Sequence, residues 1–583
     1  MKEFPPFRLD DEGQCLWRGH ERVTITPKAF SILCYLVERG GRLVTQNELL
    51  ESLWPDTFVQ PEVLKSHILN IRNALGDDAR NPSFIETQQR RGYRFIASVK
   101  ENAVREPRRN VAQEQTAAEP AERDASIAVL PFSDMSSGKD NQYFGDGLAE
   151  EIINALTRIG GLKVIARTSA FAFKGKNQDI RRIAETLGVT HILEGSVRVE
   201  GNRARVAAQL IAASDGGHIW SGRYDREMTD IFAIQDEISQ AIVEALETRL
   251  GRPVKRLASA RPPANTEAYQ AYLEGRYYMH QVTPTGMARS LECYQRAIQL
   301  DPGYALPHAG MAERVFYQAI YLSGHPREIV PAALASLARA LQLDPQAAEA
   351  HMVRGIFSAF YEYNWKAADE HFARALELSP ACPRVRSARS FWFLAPTGQL
   401  DEALVESTRA VHLDPLSSVA RNRECWVLHS MMKAEAVERA RALLQLFPSH
   451  PVTIFCTSLT LLRQGWYEEA AAALEKGLQA VPGSTYLLGV LALARARQGR
   501  AADAKRIQDE LEERSVRQYV PFFPRAQASE ACGDMERAFE LLGGAVEERE
   551  PLAVSILADR RADMLADPRY HSLLRKMNLS TRI

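Results

Sequence analysis

The sequence FIETQQRRGYRFI occupies residues 84–96 and consists of two short strand-like runs around a glycine. Three arginines follow Glu86 in this stretch, and no acidic residue does. Directly upstream, residues 62–75 carry the apolar spacing of an amphipathic helix, which Gly76 closes. A helix followed by a basic hairpin can place one element in a DNA groove and another on the flanking phosphates. This stretch therefore predicts a DNA-binding domain.

Length and composition bound the rest of the chain. At 583 residues it is too long for a single core, and about three to four domains are expected. The formal net charge is -1, so DNA binding must come from a local patch and not from a basic protein. The seven dispersed cysteines include no C-x-x-C pair, which favours reduced thiols over a disulfide framework or a zinc site. No leader and no membrane-length apolar run is visible, and we expect a soluble, cytoplasmic protein without metal or cofactor.

Residues 1–100 carry 14 Lys/Arg against 13 Asp/Glu, so the predicted domain is nearly neutral. Three helices are expected in it. The first begins at Thr26-Pro27 and runs to Gly40, and the second is capped by Thr45, with Glu48 in the capping-box position. The third starts near Pro61 and has the inner face Leu64, Ile68, Ile71 and Leu75.

The segment resembles the winged-helix domain of OmpR/PhoB-type response regulators and ToxR/CadC-like regulators. The resemblance is carried by Thr26-Pro27-Lys28-Ala29-Phe30, Asn47-Glu48-Leu49-Leu50, His67-Ile68-Leu69-Asn70-Ile71-Arg72, Leu75-Gly76-Asp77-Asp78 and Arg91-Gly92-Tyr93-Arg94-Phe95. It implies that helix three enters the major groove, that the wing reaches the minor groove or backbone, and that the start of helix two touches phosphates. The loop at residues 54–58 would either meet RNA polymerase or be a packed turn.

Candidate contacts with double-stranded DNA follow from side-chain chemistry. Base edges or nearby phosphates are assigned to Lys65, Ser66, His67, Asn70 and Asn73. Phosphate or minor-groove contacts are assigned to Arg72, Arg90, Arg91 and Arg94. Tyr93 is a further candidate, although an aromatic beside a glycine turn can equally pack the wing onto helix three. The alternative to DNA contact is that these arginines simply form the solvent-exposed face of the hairpin. Family members often carry arginine where Glu62, Leu69 and Asn70 stand here, so the target sequence does not follow from the resemblance.

A linker and an α/β domain are expected next. Residues 101–125 contain no aromatic residue, Leu or Ile, and are typical of a flexible linker. In residues 126–255, alternating strand and helix patterns followed by a β-meander predict an α/β sandwich. This segment resembles the TolB-like N-terminal domain through residues 127–132, 143–151, 188–197 and 219–221.

The α/β segment offers three weak chemical signals. Gly145-Asp146-Gly147 before a helix could bind an anion, but a turn with a helix cap is the favoured interpretation. Asp146, Glu150 and Glu151 could form a metal site, although first-turn acids complementing the helix dipole explain them more simply. His191 and His218 are interpreted as structural.

Residues 264–583 carry a helical repeat. Prolines recur at positions 302, 345, 380, 415, 448 and 482, and small residues stand five and twelve positions before most of them. The pattern resembles tetratricopeptide repeats and predicts an all-α superhelix, with an insertion near residues 321–329. Tyr277, Tyr278, Phe316, Tyr317 and Tyr361 would either line a groove for a protein or peptide partner or fill the helix-pair core.

The complete expectation is a multidomain α+β protein: winged helix-turn-helix, α/β sandwich and tetratricopeptide superhelix. The favoured function is a bacterial transcriptional regulator whose later domains sense a partner and control oligomerisation, with a homo-oligomer compatible with the sequence. The alternative is a repeat scaffold in a signalling or envelope-associated complex. An enzyme is disfavoured, because no catalytic residue set and no receiver domain is recognisable.

Overall fold

The structure is a computed structural model, and contacts divide it into two units, Met1–Pro120 and Ala121–Ile583. The described residues are 2–10, 15–18, 21–23, 27–46, 48–49, 61–78, 82–88, 91–97, 100–101, 126–136, 142–157, 159, 162–176, 178–201, 203–227, 231–250, 265–279, 283–321, 324–554, 564 and 566–579. Thr26, the loop at 54–58 and nearly all of the predicted linker lie outside them. Within the described residues, no helix combines the length and apolarity that crossing a membrane requires.

The first unit contains two antiparallel sheets and two fully bounded helices. Its strands and helices are β1 (Lys2–Phe4), β2 (Phe7–Asp10), β3 (Cys15–Arg18), β4 (Glu21–Val23), α1 (Pro27–Glu38), β5 (Leu43–Thr45), α2 (Pro61–Leu75), β6 (Ile85–Gln88), β7 (Gly92–Phe95) and β8 (Lys100–Glu101). The first sheet has the order β4-β3-β2-β1-β8, and the second has the order β5-β7-β6. The predicted second helix is described only at residues 46, 48 and 49, where the Glu48 amide donates to Thr45 Oγ1 at 3.1 Å, as the capping prediction requires.

The amino-terminal sheet was not predicted. Phe4, Phe7, Leu9 and Leu16 from its strands are buried in the core of this unit together with the inner faces of α1 and α2. Lys2 and Glu3 in β1 pair with Glu101 and Lys100 in β8, so residues 100–101 belong to this sheet. The N-terminal strands therefore supply one wall of the core on which the predicted DNA-binding helix rests.

The α/β domain begins the second unit and matches the predicted alternation. Its elements are β9 (Ser126–Val129), β10 (Ser133–Asp134), α3 (Gln142–Thr157), β11 (Lys163–Val164), α4 (Arg167–Phe171), α5 (Ile180–Leu187), β12 (His191–Glu200), β13 (Arg203–Ala212), β14 (His218–Glu227) and α6 (Ile231–Leu250). The sheet order is β11-β9-β12-β13-β14, with β11, β9 and β12 parallel and the last three strands antiparallel. Apolar clusters lie on both faces of the parallel part.

The remaining residues form the predicted tetratricopeptide-type array. Its helices are α7 (Thr266–Met279), α8 (Pro284–Leu300), α9 (Ala305–Tyr321), α10 (Pro326–Leu343), α11 (Ala348–Phe360), α12 (Trp365–Leu378), α13 (Pro383–Arg389, continued by a π-helical turn Ser390–Leu394), α14 (Leu400–Leu413), α15 (Ser418–Ser430), α16 (Glu435–Leu446), α17 (Pro451–Arg463), α18 (Tyr467–Ala480), α19 (Thr485–Arg497), α20 (Ala501–Arg517), α21 (Phe522–Ala531), α22 (Met535–Glu547) and α23 (Pro568–Lys576).

The proline and small-residue pattern is confirmed. Each marked proline lies two residues after the end of a second helix, and small residues such as Ala333, Ala340 and Ala375 are buried where paired helices meet. The insertion predicted near residues 321–329 takes the form of longer helices. The longer interval comes from helices of 17 and 18 residues, α9 and α10, in place of the 13 and 14 residues in the next pair.

For Phe316, the structure decides between groove and core. Phe316 is 5% exposed, and its ring centroid lies 5.7 Å from that of Trp392. The early repeats also contact the last helices: Tyr363 donates to the Val546 carbonyl at 3.1 Å and Trp365 donates to the Met577 carbonyl at 2.7 Å. Because one continuous apolar cluster joins these helices, Phe316 is a core residue and does not line an open groove.

Gly145-Asp146-Gly147 lies inside α3 and not before it, so both the anion-site and the helix-cap interpretations are wrong. A Cβ on Gly145 would lie 2.8 Å from the Phe132 carbonyl oxygen, and one on Gly147 would lie 2.3 Å from Leu273 Cδ1 in α7. The two glycines therefore let α3 approach the sheet on one side and the first repeat helix on the other. Asp146 is buried and paired with Lys174.

Two buried polar contacts connect the α/β domain to the repeats. Arg276 of α7 bonds to Glu150 of α3 and, at 2.9 Å, to Glu349 of α11, so Glu150 is an ion-pair partner and not a metal ligand here. Among the described residues no group of three or more potential ligands could hold a metal ion. At the second contact, the Ser169 hydroxyl and amide donate to Asp414 Oδ1 at 2.5 and 3.1 Å. Burial raises the pKa of the Asp414 carboxyl to about 6.

Candidate nucleic-acid interface

The helix predicted to enter the major groove is α2. Pro61 occupies its first turn, and Gly76, with φ of +65°, ends it in a left-handed conformation. Leu64, Ile68, Ile71 and Leu75 are buried, which confirms the predicted inner face. The helix positions of Lys65, Ser66, Asn70 and Asn73 follow from the backbone, but their side chains lie outside the described residues. His67 is half-buried, and Leu69 is 59% exposed on the outer surface.

The predicted wing is the hairpin of β6 and β7. Thr87 faces Tyr93 and Glu86 faces Arg94 across the two strands, and the Arg91 amide donates to the Gln88 carbonyl at 3.0 Å in the turn. Gly92 is required where β7 meets β5, because a Cβ there would lie 2.0 Å from the Val44 carbonyl oxygen. The Arg91 side chain is exposed at the hairpin tip, while Arg90 lies outside the described residues.

Arg72 corrects the sequence-based assignment. Its side chain is buried, and one guanidinium nitrogen donates to the Ile85 carbonyl at 2.7 Å and to Thr87 Oγ1 at 2.9 Å. A second nitrogen lies 3.9 Å from the carboxylate of Asp77, which is itself fully buried. Because the guanidinium is buried, it is not placed to contact a DNA phosphate. Its bonds to Ile85 and Thr87 instead position the wing against α2.

Asp77 is the residue that sequence reasoning missed. Its carboxylate accepts the Ser83, Phe84 and Ile85 amides at 2.6, 3.0 and 3.0 Å, and so holds the chain entering β6. The signal was available in the Leu75-Gly76-Asp77-Asp78 motif, where a glycine that ends the helix is followed by an acid able to accept backbone N–H groups. The Arg72–Asp77 pair thus fixes the wing relative to the carboxyl end of α2.

Tyr93 and Arg94 differ in how far their side chains are exposed to solvent. Tyr93 is 4% exposed within the core, so the packing alternative is correct and the DNA-contact assignment is not. Burial raises the pKa of its phenol, with the Arg72 charge acting in the opposite direction. Arg94 is about one third exposed and pairs with Glu86 at 3.3 Å across the hairpin, which leaves it part of a solvated, partly neutralised face.

Comparison with known families decides the nature of this domain. Residues 20–95 match the family described as transcriptional regulatory protein, C terminal. This domain is an OmpR/PhoB-type winged-helix domain. Residues 123–241 match the second domain of HilA/YgeH-like transcriptional regulators, so the α/β domain that follows the winged helix is also one found in regulators. Its likeness to TolB-like domains stays a prediction.

Three relatives or neighbours illustrate the extent of similarity. The transcriptional regulator HilA of Salmonella typhimurium strain LT2 is 23% identical over 430 residues, which cover 73% of each chain. Putative adenylate cyclase 3 of Rhizobium meliloti strain 1021 is 42% identical over 203 residues, and the chain spans only 34% of its length. Among solved structures, the human IFIT1 dimer with m7Gppp-AAAA has a TM-score of 0.36 at 14% identity, covering 53% of this chain and 77% of that one.

Proposed function

We propose that the protein is a bacterial transcriptional regulator whose winged helix binds double-stranded promoter DNA. In this proposal α2 enters the major groove and the β6–β7 wing contacts the adjacent backbone or minor groove. The observation that carries it is the pairing of two exposed elements, the outer surface of α2 and the Arg91 tip, held in fixed relation by the buried Arg72–Asp77 pair. The regulator families matched by residues 20–95 and 123–241 support it.

Among the residues assigned to DNA, the proposal keeps Lys65, Ser66, His67, Asn70, Asn73, Arg90, Arg91 and Arg94. Arg91 and Arg94 would contact phosphates and so contribute to binding of any sequence, whereas Asn70 would discriminate bases. With a nearly neutral winged-helix domain, a single copy would bind weakly. We therefore propose adjacent or dimeric copies on the promoter, with RNA polymerase as a further partner.

The α/β domain and the repeats would receive the signal. Buried contacts such as Arg276–Glu150 and Ser169–Asp414 make these domains one packed unit, so a protein or peptide partner bound to the repeats would act on the α/β domain as well. We place the protein in the cytoplasm, where its DNA target lies. We propose no catalytic activity, because the regulator families account for both matched segments, and the relative named as a cyclase shares only 34% of its own length.

Genome-wide mapping of DNA bound by the full-length protein tests the proposal. We expect enriched promoter sites that share a sequence, and weaker binding to all DNA sequences after Arg91→Ala. The matched control is Arg181→Ala, which removes the same charge from an exposed position in the α/β domain and should change nothing. If promoter occupancy by the full-length protein equals that of a variant without residues 1–100, DNA binding is refuted and the scaffold alternative is favoured.

A further inference from the structure

Leu69 occupies an unusual position in α2. Its side chain is 59% exposed, although Leu64, Ile68, Ile71 and Leu75 of the same helix are buried. At 100° per residue, Leu69 lies roughly 130° around the helix from the centre of that buried stripe. Arg72, three residues later, faces the wing through its bond to the Ile85 carbonyl. Leu69 therefore lies on the outer surface of the helix, on the side nearer the wing.

Among the described residues, Leu69 belongs to no apolar cluster. It is absent from the apolar core of the first unit, and within the described part of that unit only Leu69 and Ile96 are exposed large apolar side chains. A single exposed leucine is common on protein surfaces. This one, however, stands in the middle of the helix that the proposed function inserts into the major groove.

The chemistry of leucine restricts what it can read. Arginine donates hydrogen bonds to guanine or phosphate, but an isobutyl group neither donates nor accepts. In the major groove, the one large apolar group on a base edge is the C5 methyl of thymine. Burying the Leu69 side chain against this methyl removes apolar surface of both partners from water, whereas a cytosine at the same place offers only a hydrogen.

We propose that Leu69 is a specificity-determining residue that selects thymine. Each bound half-site contains one thymine whose C5 methyl packs against the Leu69 side chain. The inference rests on the proposed function, because it requires α2 to occupy the major groove.

Replacing thymine by deoxyuridine removes only the methyl group and is the direct test. In a site selected by the full-length protein, each thymine is replaced in turn, and affinity is measured by fluorescence anisotropy at fixed salt. We expect one position per half-site at which deoxyuridine weakens binding about fourfold, the factor that corresponds to one buried methyl group. Leu69→Ala should bind the thymine and deoxyuridine sites equally, and Leu69→Met, which keeps an apolar side chain, should restore most of the discrimination.

The control is Val516→Ala, which removes an exposed apolar side chain from the repeats and should leave the thymine preference intact. Equal affinity for thymine and deoxyuridine at every position, with sequence-specific binding otherwise normal, would overturn the inference and leave the proposed function standing. So would Leu69→Ala retaining the wild-type discrimination. Absence of specific binding by the wild-type protein would instead remove the proposed function itself.

Discussion

Replacing Arg72 by methionine separates the positioning role shown by the structure from the DNA contact that the sequence suggested. Methionine has a similar length but no charge and no donors. The change removes the bonds to the Ile85 carbonyl and Thr87 Oγ1, and leaves the buried Asp77 carboxylate without its cationic neighbour. We expect the winged-helix domain to lose stability.

The magnitude follows from what Asp77 retains. Removing one partner of a buried ion pair costs about 3–5 kcal/mol when the other charge is left uncompensated. Asp77 still accepts three backbone N–H groups, so we expect the lower part of this range, about 3 kcal/mol. For a domain of this size such a loss lowers the unfolding temperature by on the order of 10–20 °C.

The assay is thermal unfolding of residues 1–120, a unit separate from the rest of the chain in its contacts, followed by circular dichroism. The matched control is Arg94→Met, which breaks an ion pair that is about one third exposed and should cost less than about 1 kcal/mol. If Arg72→Met unfolds at the same temperature as the wild type but no longer binds DNA, the burial argument is refuted and Arg72 is a DNA contact after all.

Further changes test other parts of the structure. Arg91→Ala should weaken binding to specific and unrelated DNA alike and reduce the slope of log affinity against log salt by about one, because the exposed guanidinium is assigned to one phosphate; an unchanged slope would place Arg91 off the DNA. Gly92→Ala should disrupt the wing sheet, since its Cβ would lie 2.0 Å from the Val44 carbonyl oxygen, and hydrogen exchange of the wing amides would report the loss; unchanged protection would contradict it. Ser169→Ala should lower the free energy of unfolding of the second unit by about 1–3 kcal/mol, because Asp414 loses the hydroxyl donor and the Leu416 amide loses its acceptor. Urea denaturation measures this loss. A loss no larger than that caused by Ser515→Ala, at a partly buried serine near the end of α20, would contradict the prediction. Asp414→Asn should remove a pH dependence of stability. Because the pKa of Asp414 is raised to about 6 in the folded state, the folded protein holds a proton between about pH 4 and pH 6 that the unfolded chain releases. The free energy of unfolding of the wild type therefore falls as pH rises through this window, and that of the variant should not.

Local patterns determined most of the elements of this protein. The prolines that follow each second helix and the apolar stripe of α2 act within one or two turns of chain, so their consequences can be read without knowing what lies opposite. The alternation of strands and helices and the β-meander of residues 126–255 were predicted for the same reason. The amino-terminal sheet was missed because its strands are only two to four residues long, too short for an alternating pattern to stand out.

Which polar and aromatic side chains face solvent was decided by the tertiary structure. The sequence marks Arg72 as a cation beside a basic hairpin, but only the return of β6 brings the Ile85 carbonyl and Thr87 within reach and buries it. In the same way, Gly147 reads as a turn until Leu273, more than a hundred residues later, packs against it. The sequence leaves Phe316 either in a groove or in the core, and its packing against Trp392 decides for the core. The burial of an individual polar or aromatic side chain depends on partners distant in the chain, which a pattern confined to neighbouring residues does not identify.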